Sequence, residues 1–254
     1  MSTYPFDQGW VHERKRLSLL QQVYDPASIR RLEALGPMEA WRCLEVGAGA
    51  GSIAVWLSRR VGPQGSVVAT DLDTRFLDEL RIPNLRVLRH DIVNDDLPES
   101  SFDLIHSRLL IHLLPAREKA LTKLASALKR GGWLLCEVFD NALVLYPRED
   151  PVRDAVLGLI HAESDRAWAR HLPEVLYNLG FTEVEAEADA QIYNGGSPAA
   201  ELYRLTWLQF RDQVLEKGIL PANDFDSQLA KLSDPQYWVI APLVIATRGR
   251  RPSA

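Results

Sequence analysis

Arg42-Cys-Leu-Glu-Val-Gly-Ala-Gly-Ala-Gly-Ser52 is the stretch on which the rest of the chain is hung. Its apolar run, Cys43, Leu44 and Val46, ends in three alternate glycines, Gly47, Gly49 and Gly51, and a helical run from Ile53 to Val61 follows. That pattern is a buried strand turning sharply into a helix. Glycine is needed where the backbone takes positive φ or must let a ligand approach the main chain. A second apolar run, Val67 to Thr70, closes on Asp71, 20 residues after Gly51. A carboxylate there can accept from both hydroxyls of a ribose. Strand, glycine turn, helix, strand and acid together read as a nucleoside-binding unit.

The dinucleotide fingerprint G-x-G-x-x-G would place its last glycine at Ser52. Instead the chain reads Glu45-x-Gly47-x-Gly49-x-Gly51, and an acid beside the glycines suits a cationic ligand better than a pyrophosphate. This resembles motif I of the class I S-adenosylmethionine-dependent methyltransferases, with Asp71 resembling their ribose-binding acid. Further segments are similar in order. Asn84 to Ile92 resembles the third strand and the adenine-binding acid, Leu97 to His106 the fourth strand, and Ala127 to Glu137 the helix, glycine turn and fifth strand. The likeness covers residues 40 to 140 closely and the remainder in outline.

With 254 residues, the chain fits one large α/β domain with an appended part. A formal charge of −5 provides no polyanion-binding signature, so nucleic acid is not expected as a partner. No apolar run reaches the ~20 residues of a membrane helix. The first residues lack a basic-then-apolar leader, so a cytoplasmic location is expected. Cys43 and Cys136 fall in predicted central strands as buried thiols, and the six histidines form no recognised ligand spacing, so no metal is expected.

Residues 8 to 40 read as two helices. Leu17, Leu20, Val23 and Tyr24 form a stripe on the first; Asp25-Pro26 reads as the cap and first turn of the second, and Gly36-Pro37 as its stop. Downstream, Thr74 to Leu80 reads as a short helix, Leu85 to Arg89 and Phe102 to His106 as strands, and Ser107 to Leu114 and Ala116 to Lys129 as helices. Trp133 to Phe139 reads as a strand, residues 150 to 180 as helix, and Phe181 to Ala188 as a strand. A long helix from Leu202 to Leu215 and a final strand, Tyr237 to Thr247, complete the chain. The alternation predicts a Rossmann-like, doubly wound α/β fold with a mostly parallel sheet, helices on both faces and ligands at the carboxyl ends of the strands. The resemblance implies seven strands, an N-terminal helical lid over residues 1–40, and a methyltransferase domain over 41–254 with a helical cap inserted at about 197–235. The inserted helix serves equally as a dimerisation or surface helix, so a homodimer stays open.

The resemblance further implies S-adenosylmethionine as cofactor. Glu45 and the Gly47-Ala48-Gly49 turn would lie by its methionine portion, Asp71 at the ribose, and Leu72 against the adenine face. Asp91 and Ile92 would meet the adenine edge, and the main chain at His106 and Ser107 the methionine amino group. For the chemistry, His112 stands four residues after Arg108, on the same face of a predicted helix. A histidine near its ordinary pKa suits deprotonation of a phenol or carbon acid, and packing of that helix is its other use. Glu137, ending the fifth strand, points toward the same mouth. Tyr4, Trp10 and Tyr24 either line the methionine end or fill the core. His161 and His171 read as surface residues, as do Arg14 and Arg108 unless they bond a carboxylate. The function expected is methyl transfer to an O, N or C nucleophile of a small aromatic molecule. Two alternatives are kept: a relative that binds the cofactor but catalyses cyclisation, and a NAD-dependent oxidoreductase.

Overall fold

The computed structural model describes residues 5–142, 150–161 and 165–253. Among these, the chain opens with α1 (Glu13–Glu33), then β1 (Arg42–Val46), α2 (Ser52–Val61), β2 (Ser66–Asp71), β3 (Leu85–Arg89) and β4 (Phe102–Arg108). Next come α3 (Arg117–Ala127), β5 (Leu128–Asp140), α4 (Pro151–Ile160), α5 (Leu172–Asn178), β6 (Thr182–Asp189) and β7 (Ile192–Asn194). Three helices, α6 (Pro198–Leu208), α7 (Arg211–Glu216) and α8 (Ala222–Lys231), precede β8 (Trp238–Ile240) and β9 (Leu243–Arg250).

Seven strands form one sheet in the order β3-β2-β1-β4-β5-β9-β6. The first five are parallel, and β9 runs antiparallel to both of its neighbours. Cys43 through Val46 are all buried, as a strand covered on both faces requires. On one face Leu57 and Ile53 of α2 pack with Leu32 and Met38; on the other, Leu121 and Leu124 of α3 pack with Leu172 and Leu176 of α5. A third core gathers Tyr24, Val156, Tyr203 and Phe225 beneath α6 and α8. The doubly wound α/β architecture expected from the alternation is therefore the one observed.

Several local expectations are corrected. Residues 13–33 form one helix with Pro26 inside it, because Asp25 turns its carboxylate sideways to Arg108 and Ser52 instead of capping. Thr74 to Leu80 is a succession of turns. Ser107 to Leu114 is not a helix. β4 continues through Arg108, opposite Glu137, and Leu109 then takes a left-handed φ of 56° before a single 3-10 turn at Ile111–Leu113. The helix expected through Leu215 breaks at Gln209-Phe210, and Ala241-Pro242 splits the expected last strand into β8 and β9. Proline lacks the N–H that a continuous ladder needs. The split lets β8 leave the main sheet and pair with β7.

Candidate active site

Gly47, Gly49 and Gly51 have φ values of 72°, 57° and 87°. A Cβ on Gly47 would stand 2.8 Å from Leu110, and one on Gly51 2.7 Å from Leu80. The turn thus needs glycine for conformation and packing alike. Gly49 is the open position, with Leu17 of α1 at 3.5 Å from its would-be Cβ. Gly47 N and Ala48 N both donate to Thr70 O at 2.9 Å, which locks the turn onto β2. Asp71 completes the frame. Its Oδ2 accepts from Gly49 N at 2.8 Å, and its Oδ1 from Asp73 N at 3.2 Å and Gln8 Nε2 at 3.1 Å. Burial pushes the Asp71 carboxyl above its ordinary pKa, and these three donors pull against that rise.

This turn floors a cleft with about 1640 Å³ of empty space, the solvent at its mouth included. Glu45, Gly47, Ala48, Gly49, Asp71, Leu72, Asp91 and Ile92, which the resemblance assigns to the cofactor, line it. Asp91 faces its own turn, accepting from Val93 N and Asn94 Nδ2 at 2.9 and 2.8 Å. Burial works against that carboxylate, but these donors hold its pKa below the ordinary range.

His106, Ser107 and Glu137 differ from expectation, because none of them lines the cleft; Arg108, Leu109 and Leu110 do. Ser107 Oγ donates to Val46 O. Strand pairing explains the other two. Glu45 faces His106 across β1 and β4, Arg108 faces Glu137 across β4 and β5, and alternation puts all four on one face. His106 Nδ1 lies 2.7 Å from Glu45 Oε2, and its Nε2 lies 3.2 Å from Glu137 Oε1. Burial disfavours charge on the ring, yet the two carboxylates overcome it and push His106 up to about 9. His106 is an imidazolium that donates to both. Glu137 also accepts from Arg31 Nη1 at 2.8 Å and Ser28 Oγ at 3.0 Å, which ties α1 to the centre of the sheet. Glu45 Oε1 has no hydrogen bond among the described residues, which leaves it available at the cleft.

The other half of the cleft is aromatic. Tyr24 bonds Tyr203 through their hydroxyls at 2.6 Å, and its ring meets Phe139 edge-on at 5.7 Å. Tyr203 packs on Trp207 at 5.6 Å. Burial raises the Tyr24 pKa, so its hydroxyl stays protonated. His112 and His161 close the end, with ring centroids 6.2 Å apart, and Asn141 Nδ2 lies 2.9 Å from His161 Nε2. Burial, then neighbouring His161 and Arg117, push His112 down to about 3. Burial, Arg166 and Arg117 push His161 down to about 4.

Three expectations change with this. His112 does reach the cleft, but burial pushes its basicity well below that of an ordinary imidazole, which weighs against the general-base use and leaves the packing use open. His161 is buried against the cleft instead of at the surface. Arg108 is held by Asp25 and Ser28, while Arg14 pairs with Glu79 at the surface. Trp10 meets His12 edge-on away from the lining, and Tyr4 falls outside the described residues. Gln8, Tyr203, Trp207 and Asn141 escaped sequence reasoning, since each joins the cleft through contacts distant in the chain.

Comparison with known proteins agrees with this geometry. A family model described as a methyltransferase domain matches residues 44–136. The ubiquinone/menaquinone biosynthesis C-methyltransferase UbiE of Idiomarina loihiensis is 29% identical over 118 residues, covering 43% of this chain and 47% of that protein. The chain thus spans about half the length of the curated relatives it matches. Phosphoethanolamine N-methyltransferase 2 of Haemonchus contortus, solved with phosphomonomethylethanolamine and S-adenosylhomocysteine, superposes with a TM-score of 0.65 at 16% identity. That match covers 99% of this chain and 60% of the other. The [4+2]-cyclase SpnF shares the fold at a TM-score of 0.52 and 16% identity, covering 85% of this chain and 76% of its own. Residues 44–136, from β1 to β5, thus match a methyltransferase domain, and the sheet order and the glycine turn with its two acids sit in a fold shared with solved S-adenosylmethionine-dependent methyltransferases.

Proposed function

We propose that this protein moves a methyl group from S-adenosylmethionine to a small, planar acceptor seated in the aromatic half of the cleft. The observation that carries the reading is continuity: one cleft joins the Gly47–Gly51 turn, Glu45 and Asp71 to the chamber of Tyr24, Phe139, Tyr203 and Trp207. When bound, the cofactor supplies an electrophilic methyl group on a sulfonium. The residues fit it. Gly49 leaves the main chain bare, and the unbonded Oε1 of Glu45 accepts from an ammonium. Asp71 grips ribose hydroxyls once Gln8 yields its bond, while Leu72 and Ile92 flank the purine, with Asp91 at its edge.

Residues 1–40 act as the lid, because Leu17 and Leu20 of α1 line the cleft directly above the turn. The excursion at 197–235 acts as the cap, contributing Tyr203 and Trp207. Of the catalytic candidates, Tyr24 orients the acceptor through its ring and its bond to Tyr203. His112 serves as a neutral hydrogen-bonding partner, and Glu137 positions Glu45 through His106. What these side chains contribute is alignment and exclusion of water, which can supply several kcal/mol.

Calorimetry with S-adenosylmethionine, S-adenosylhomocysteine and NAD tests the reading; tight NAD binding without the sulfonium ligand overturns it. One observation also suits a cyclising relative: no side chain in the aromatic half, among the described residues, is poised as a base. Release of S-adenosylhomocysteine in step with acceptor consumption separates the two.

A further inference from the structure

The end wall of the aromatic chamber has a charge character that methyl transfer alone does not explain. His112 is buried, its Nδ1 has no partner among the described residues, and Nε2 is the nitrogen left to meet a ligand. Behind the two imidazoles stands Arg117, the first residue of α3. Its guanidinium lies over Trp168 at 5.0 Å, and its buried Nη1 has no hydrogen-bond partner among the described residues. Arg166 anchors the same wall, with its main-chain carbonyl accepting from Asn141 N at 3.0 Å. After burial, Arg117 helps to keep both rings uncharged, and Arg166 does the same for His161.

The acids nearby do not offset them inside the chamber. Asp165 and Glu118 act on Arg117 from outside the lining, and Asp140 is taken by Arg170. The acids that do line the cleft are Glu13, paired with Arg16, and Glu45, Asp71, Asp73 and Asp91 around the glycine turn. An ammonium or protonated amine at the far end would face a positive field with no counter-charge among the described residues that line the cleft. An oxyanion there would be stabilised, since nearby charges favour the ionised form of an opposite-charged group.

We infer that the acceptor is an acidic hydroxyl compound, a phenol or enol, bound as its anion against the His112–His161–Asn141 wall with Arg117 and Arg166 behind it. The inference rests on the reading that this half of the cleft holds the acceptor. It accounts for the missing base: the hydroxyl proton leaves to water on binding, and no side chain has to receive it. Selectivity against amines then comes from field, not from shape.

Two dyes of one shape test it. 2-Hydroxyanthraquinone, whose colour reports ionisation, and 2-aminoanthraquinone are titrated into the full chain saturated with S-adenosylhomocysteine. The hydroxy dye should bind roughly tenfold tighter than the amine, with its ionisation moved about one pH unit downward from the free dye. Arg117→Gln should return that ionisation toward the free value while S-adenosylhomocysteine affinity holds; should that variant not fold, Arg166→Gln replaces it. An unshifted or raised ionisation, equal binding of the amine, no binding of either dye, or a shift that survives the arginine change overturns the inference. Failure of the parent protein to bind S-adenosylhomocysteine would instead overturn the methyltransferase reading beneath it.

Discussion

Asp71 and Glu137 show how much a carboxylate's neighbours decide. Asp71 ends β2 with three donors and an open cleft in front of it, whereas Glu137 ends in a closed network with His106, Arg31 and Ser28. Replacing Asp71→Ala removes the acceptor proposed for ribose and should weaken cofactor binding by about 1–3 kcal/mol in calorimetry, the range for hydrogen-bond partners left unpaired. His112→Ala should leave the pH dependence of turnover unmoved, because a ring held at about 3 is already neutral in the working range. Loss of the acid limb of the pH–rate profile, the fall in rate as a base takes up its proton, would restore the general-base role. The glycines and Asp71 were legible in the sequence because a strand, its turn and the next strand's end are local. The roles of His106 and Glu137 were not, since only the pairing of β1, β4 and β5 brings them into line. His161 reads as surface because charged residues, Glu163, Asp165 and Arg166, crowd its neighbourhood in the chain.

At the scale of elements, the sheet was easier to read than the helices. Long apolar runs bounded by Gly and Pro mark β1, β2 and β4, but helix continuity depends on what flanking side chains meet. Asp25-Pro26 has the form of a cap, and Arg108 with Ser52 draws the carboxylate away. A helix that runs through proline loses a hydrogen bond and crowds the preceding turn. Pro26→Ala should therefore raise stability to chemical denaturation by about 1–2 kcal/mol, less than the full helix-interior penalty because the unfolded chain also gains freedom. The opposite sign holds in the turn: Gly47→Ala places a methyl 2.8 Å from Leu110 at a φ of 72°. It should cost at least about 1–2 kcal/mol, the penalty for a left-handed L-residue, and cofactor affinity should fall with it.

For the molecule as a whole, buried histidines set a pH optimum from two directions. His106 is raised from 6.5 to about 9, so its contribution is complete below pH 6.5 and lost as pH climbs through 9. His112 and His161 are lowered from 6.5 to about 3 and 4, so theirs is complete above pH 6.5 and lost as pH falls toward those values. Glu137, held below its ordinary 4.5, adds a loss confined to more acid conditions. Denaturant midpoints should peak close to pH 6.5 and fall on both sides; a profile flat through the alkaline range would mean that His106 is uncharged.

One more consequence belongs to the small ribbon of β7 and β8. The 53 residues between the main sheet's last two strands, 190–242, leave and return through a pair of strands bonded to one another, like a pouch drawn closed at its neck. The excursion therefore meets the rest of the chain through side chains, such as Tyr203 bonded to Tyr24 of α1, and not through the main sheet's ladder. Exchange of Tyr203 or Trp207 would therefore reshape the chamber wall while the glycine turn, locked onto β2, stays as it was.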